Sequence, residues 1–251
     1  NMISRWPFLR RRLVVAHAAC VTALAGLGCG RPAELRAPAI GAAAPEFTAT
    51  AVHRALDAAI SGIGPFPGAA EMATKAHDAH HGDEVASVRT VIETHVRLAA
   101  AQGLMTNLGG LLTATLAVPA NIAVLAFLQC RMAAAILHLR GYDLADPRVH
   151  NAILAALLGE ERLMELLSEL KVPTTPMAMA TAPVADPRLG FVMANEVAAE
   201  LVTKVAGKRL ATTAARRTPL VGGVFGAGAD GYLTWRAGRY VDREFLSRRR
   251  R

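Results

Sequence analysis

Aromatic side chains are scarce in this 251-residue sequence, at 5%, and only three cysteines occur, Cys20, Cys29 and Cys130, with no CxxC pair among them. The first scarcity argues against a β-sandwich, whose strands draw on aromatic and β-branched residues. The second excludes a disulfide framework and a zinc module, and leaves Cys130, within an apolar run, as a small buried hydrophobe. A GxxxxGK(S/T) phosphate loop and the HExxH pair of zinc proteases are also missing, so no nucleotide or other cofactor is expected. Basic residues outnumber acidic ones by 28 to 20, yet the excess is terminal. Residues 1–36 carry six arginines against Glu34, and Arg248 to Arg251 add four, which leaves 18 basic against 19 acidic residues in between. A body so balanced lacks the basic face that displaces counterions from phosphates, and a nucleic-acid partner is not expected.

What the sequence does have is alanine, leucine and valine in helical periodicity, with an apolar fraction of 53%. That composition suits an all-α, compact helical domain. The first 30 residues show Arg5, Arg10, Arg11 and Arg12, then an uncharged stretch to Gly30, the layout of a secretory leader. Ala25-Gly26-Leu27-Gly28-Cys29 is similar to a lipoprotein cleavage box, although such boxes usually place leucine where Gly26 stands. A reading frame extended upstream of the true start would give a similar Ala/Arg/Gly-rich segment, and the two readings stand side by side. Residues 31–50, with Pro32 and Pro38, read as an Ala/Pro-rich linker. The helical domain is expected over 51–246, followed by a basic tail over 247–251.

Within that domain a first helix spans Val52 to Ile60 and stops at Ser61-Gly62-Ile63-Gly64-Pro65, with Pro67-Gly68 extending the turn. A second runs from Ala69 to Ala79, and a third starts near Glu84 with Arg89, Glu93 and Arg97 along a wet edge. Between Leu98 and Cys130 lie 33 residues without a single Asp, Glu, Lys or Arg. Gly103, Gly109-Gly110 and Pro119 punctuate this span, which predicts a helical hairpin, Leu104 to Ala117 and Asn121 to Leu139, with Pro119 at the bend. The first arm is about 21 Å long at about 1.5 Å per residue, short of a hydrocarbon core of about 30 Å. Burial in a soluble fold, a dip into one leaflet or a re-entrant hairpin is favoured over two true spans. Further on, Gly141 is placed to end the hairpin and Asp146 to cap a helix that opens with Pro147. Val149 to Leu170 reads as one helix, 171–187 as a proline-rich loop, and Leu189 to Arg217 as a helix with a basic end.

The last element, from Pro219, holds Gly222, Gly223, Gly226, Gly228 and Gly231. Each glycine within a helix costs about 1 kcal/mol against alanine, so five in ten residues call for a compensating close contact. Gly222 and Gly226, and Ala227 and Gly231, are four apart and make a smooth face suited to tight helix packing, with the Gly109-Gly110 hairpin as its expected partner.

Several of these motifs, in this order, carry a family resemblance: Ala59-Ile60-Ser61-Gly62 with Pro67-Gly68, Gly109-Gly110-Leu111-Leu112, Val118-Pro119-Ala120-Asn121, Gln129-Cys130-Arg131-Met132, Gly141-Tyr142-Asp143-Leu144, and Pro219-Leu220-Val221-Gly222-Gly223 with Asp230. Over residues 51–246 the sequence resembles the EcsC family. The resemblance implies a bacterial helical domain, membrane-associated in some members, named from an operon that also encodes an ABC transporter, and without an established biochemical activity. It departs from the family pattern over 159–188, which is shorter and richer in proline.

Two clusters could carry chemistry. His77 and His81, four apart on a predicted helix, could chelate a metal with Asp83 or Glu84, but a polar helix end with histidines favoured by the C-terminal dipole explains them without a metal. Arg131, Asp143, Asp230 and Asn121 are polar groups in apolar surroundings; a buried Arg131 requires an acidic partner such as Asp143 or Asp230. A fold-specifying ion pair is the plainer expectation, since no nucleophile has a base beside it. The sequence therefore points to a membrane-associated accessory protein, at the cytoplasmic membrane face or lipid-anchored. Its expected partners are membrane lipid, a membrane protein or ABC-transporter components. The alternative is a hydrolase-like enzyme built on Arg131, Asp143 and histidines.

Overall fold

Proline opens several of the helices. The computed structural model describes the backbone of residues 40–108, 114–214 and 219–248, and the side chains of 49–104, 122–204 and 228–248. Among the described residues there are nine helices and one two-stranded ribbon. In chain order these are α1 (Ile40–Ser61), β1 (Gly62–Ile63), β2 (Phe66–Pro67), α2 (Ala69–Ala79), α3 (Glu84–Leu108) and α4 (Ala114–Leu139). There follow α5 (Pro147–Leu158), α6 (Glu160–Ser168), α7 (Pro176–Ala180), α8 (Pro187–Ala214) and α9 (Pro219–Glu244). Pro147, Pro176, Pro187 and Pro219 each occupy a first helical position, where the missing amide N–H had no partner in any case. The all-α class is as the composition indicates.

Several boundaries differ from the sequence reading, each for a local reason. The stretch expected as linker to residue 50 is already helical from Ile40: both prolines that suggested a linker precede the helix, and the alanines after them are strong helix formers. The expected stop at Ser61 to Gly68 is a tight hairpin, with Ile63 paired to Phe66 and Gly62 to Pro67. Gly64, at φ +54, supplies the positive φ that a two-residue turn needs ahead of Pro65. The expected helix Val149 to Leu170 is two helices, because Gly159 adopts φ 82 and ψ 166, a region that only glycine enters readily. Within the expected loop 171–187, Pro176 opens the short α7.

The hairpin also bends elsewhere than expected. Helix α3 continues through Gly103 to Leu108, and α4 already runs from Ala114 through Pro119 to Leu139. Pro119 is therefore the sixth residue of a helix, early enough that one backbone bond is forgone instead of the chain turning. Gly109, Gly110 and the reversal itself lie outside the described residues.

The centre of the fold is α4. Its residues Ala126, Phe127, Cys130 and Met132 to Leu137 are buried on every side, the pattern of a helix enclosed by its neighbours. Against it pack α1, α2, α3 and α8, and α9 lies along α3 in the most extensive helix pairing of the molecule. Asp146 caps α5 by accepting from Arg148 N at 2.8 Å, and the Arg148 guanidinium beside it holds the Asp146 carboxyl below the usual carboxylate range.

Candidate functional site

The register between α3 and α9 follows from three contacts. A Cβ on Gly238 would stand 3.0 Å from Ile92 Cγ1 and 3.0 Å from Met132 Sδ, and one on Gly231 would stand 3.4 Å from Ala100 Cβ. Beyond the helix, Ser247 donates to the Glu84 carboxylate at 2.8 Å. As the α9 number rises the α3 number falls, so the two helices are antiparallel, and the shared contact of Ile92 and Met132 makes α3 and α4 antiparallel as well. The smooth face of α9 does meet another helix, as its glycines require. Where the face is described, its partner is α3 at Val96 and Ala100 and not the Gly109-Gly110 stretch, which lies outside the described residues, as do the side-chain surroundings of Gly222, Gly223 and Gly226. Gly228 has no atom within 4 Å of its would-be Cβ and faces open space.

This register has a consequence for charge. The uncharged parts of α3 (from Leu98), α4 (up to Cys130) and α9 (from Pro219 to Ala229) all come to one end of the molecule. On α3 that part is 11 residues, or about 16 Å at about 1.5 Å per residue, roughly one leaflet of a bilayer. Polar and apolar side chains are distributed there in an unusual way. Gln102, Gln129 and Asp230 are buried, at 4%, 2% and 4% exposure, whereas Leu104, Val202, Tyr232 and Trp235 are exposed, at 38%, 41%, 58% and 48%. Tyr232 and Trp235 stack with ring centroids 6.0 Å apart. This pair was not singled out from the sequence, yet the signal was there: two aromatics three apart on a helix, where a glycine-rich stretch gives way to Arg236, Arg239 and Arg243.

Below this end, Arg131 on α4 is buried at 4% exposure. Its Nε donates to the Pro67 carbonyl at 2.9 Å, and its guanidinium carbon lies 5.7 Å from the centre of the Phe66 ring. Arg131 thus anchors the β1–β2 hairpin to the core. Asp143 does not join it: the carboxylate is exposed and accepts from Ala145 N at 2.9 Å within its own loop. The expectation of an Arg131–Asp143 pair is corrected accordingly, because the helix ends before Asp143 and the loop keeps that carboxylate in solvent. Asp230 is buried on α9, and the side chains of Pro119, Asn121 and Pro219 lie outside the described set.

His95 of α3, also buried, shares a hydrogen bond of 2.8 Å with the Val91 carbonyl through Nδ1, so Nδ1 carries the proton and Nε2 is a bare acceptor. Nε2 and the Thr234 hydroxyl oxygen across the α3–α9 seam are both buried without a hydrogen-bond partner. Burial pushes the His95 pKa down to about 3, assisted by the Arg131 charge and opposed by the bond to Val91. Burial likewise raises the Cys130 thiol, which stays protonated as an inert core group.

Tyr142 has a structural task. It lies against Phe245, with ring centroids 5.5 Å apart, and its hydroxyl donates to the Leu246 carbonyl at 3.2 Å. Arg140 donates to the Phe245 carbonyl at 2.6 Å and to Asp242 at 2.5 Å, and Arg248 N donates back to the Arg140 carbonyl at 2.7 Å. Together these groups clasp the end of α9 to the loop after α4.

The histidine cluster assembles no metal site. Helix α2 ends at Ala79, and His81 takes φ +53, so His77 and His81 do not share a helical face as their spacing suggested. His80 pairs with Thr90 at 2.7 Å, and Asp83 accepts from Ala86 N at 3.1 Å to open α3. Among the described residues no group of three His, Cys, Asp or Glu could hold a metal ion.

One helix among the described residues is long and apolar enough to cross a membrane by composition, at Ile122–Leu139 with a mean hydropathy of 1.9, and 89% of that window is buried inside the fold. Comparison with protein-family models, with curated proteins and with solved structures finds no match.

Proposed function

We propose that this chain is a membrane-associated accessory protein that acts by docking and not by catalysis, with the uncharged end of α3, α4 and α9 as its membrane-facing part. The observation that carries the reading is the inversion at that end, where Gln102, Gln129 and Asp230 are buried and Leu104, Val202, Tyr232 and Trp235 are exposed. A protein solvated by water alone gains nothing from such an arrangement, whereas polar groups turned inward and apolar ones outward suit contact with lipid. The resemblance to the EcsC family supports the same reading and extends it to a role beside an ABC-type transport or secretion system.

Cell fractionation tests the reading. The full chain is expected in the membrane fraction, and the double substitution Leu104→Asp with Val202→Asp is expected to move it to the soluble fraction while helicity by circular dichroism stays unchanged. Wholly soluble parent protein refutes membrane association. A folded variant that stays with the membrane as fully as the parent refutes this end as the docking surface.

A further inference from the structure

The aromatic pair and the charge of the neighbouring helix narrow the partner of this end. Helix α8 carries Lys204, Lys208 and Arg209 over its last turns, and no acidic residue occurs between Leu201 and its end at Ala214. Lys204 pairs with Glu200 at 3.1 Å, and Glu200 is the last acidic residue of the helix. Four residues connect α8 to α9, so the basic end of α8 and the uncharged start of α9 are no more than about 18 Å apart at the reach of an extended chain. The same end therefore combines an apolar surface with positive charge that no acidic residue of either segment offsets. Tyr232 and Trp235 sit where the uncharged part of α9 gives way to Arg236, and on the antiparallel α3 the last charge, Arg97, lies at a corresponding height. Tyrosine and tryptophan favour the headgroup level of a bilayer, where a ring can be apolar on its face and hydrogen-bonded at its edge.

Resting on the docking role proposed above, we infer that the partner of this end is an anionic phospholipid surface, with the Tyr232–Trp235 stack at headgroup depth and Lys208 and Arg209 facing the lipid phosphates and carboxylates. The uncharged parts of α3 and α9 then reach below the headgroups by no more than one leaflet.

The test uses the full chain with Trp6→Phe, which leaves Trp235 as the sole tryptophan of the two in the sequence. Flotation is measured on phosphatidylcholine vesicles and on vesicles with about a third phosphatidylserine, with Trp235 emission recorded against lipids quenching at shallow and at deep acyl positions. Expected are tighter partitioning onto the anionic vesicles by about tenfold or more, and loss of most of that preference in Lys208→Gln with Arg209→Gln or in high salt, since exposed charges are screened over about 10 Å at 0.1 M. Shallow quenchers are expected to act more strongly than deep ones. Equal flotation on both vesicles, insensitive to salt, or stronger quenching from the deep position overturns this inference and leaves the docking role standing. No flotation on either vesicle overturns both.

Discussion

Replacing Gly238 tests whether the α3–α9 seam depends on backbone closeness. A Cβ at this position meets Ile92 Cγ1 and Met132 Sδ at 3.0 Å each, and Ile92 Cγ2 at 3.1 Å. Ile92 and Met132 are themselves buried, at 5% and 0% exposure, so neither has solvent to move into. Extending the side chain to leucine overpacks the seam, for which about 1–3 kcal/mol is typical, while better helix propensity returns somewhat under about 1 kcal/mol. The net loss of about 1–2 kcal/mol lowers Tm by roughly 2–8 °C in a domain of this size. Gly228 is the internal control. It lies in the same helix with nothing within 4 Å, so Gly228→Ala gains helix propensity without a clash and raises stability by about 0.5–1 kcal/mol. Thermal melts of the two variants beside the parent, followed by circular dichroism, should move in opposite directions. If Gly238→Leu melts with the parent or above it, the seam is not close-packed and the account of the glycines fails.

Gly68→Ala drives a Cβ to 2.4 Å from the Ile60 carbonyl oxygen, a backbone atom that cannot swing away, and a loss at or beyond the upper part of the range of about 1–3 kcal/mol is expected in chemical denaturation; an unchanged midpoint contradicts the hairpin geometry. His95 links stability to pH. Above pH 6.5 it is neutral in both states, and between pH 6.5 and about 3 only the unfolded chain takes the proton, so unfolding gains about 1.4 kcal/mol per unit as pH falls. His95→Leu should therefore flatten the stability profile below pH 6.5, and parallel profiles would show that this group is not the one responsible. Arg140→Met removes the bonds to the Phe245 carbonyl and Asp242, costing about 1–3 kcal/mol, and hydrogen exchange should accelerate first over residues 242–248; uniform acceleration throughout would deny the clasp a local role.

Helix identity was legible wherever local chemistry decided it. Asp146-Pro147 announced a cap and a first helical position, Gly141 a left-handed stop, and Glu84 the start of α3, and all three hold. What misled was punctuation read without context: Pro119 looked like a bend and sits inside α4, while Gly159 looked tolerable within a helix and ends one. A proline in an early turn and a glycine in a helix look alike in a sequence whether or not the chain turns there, because neighbouring packing settles the matter. The candidate site was legible in part. The long uncharged span and the glycine face were visible, but the antiparallel register that brings them to one end is a tertiary fact, and so is the inward turn of Gln102 and Asp230. His77 and His81 failed for a smaller reason, since a helix that ends two residues early removes the face they were to share.

The clasp at Tyr142 also fixes where cargo could be attached. Arg248 stacks on that ring at 5.5 Å, beside the start of α3, and α9 runs about 23 Å from there back to Ala229 at about 1.5 Å per residue. A reporter or affinity handle fused downstream of Arg248 would hang on the opposite pole from Leu104 and Trp235, so such fusions should leave vesicle partitioning intact and offer a convenient way to immobilise the protein with its greasy pole outward.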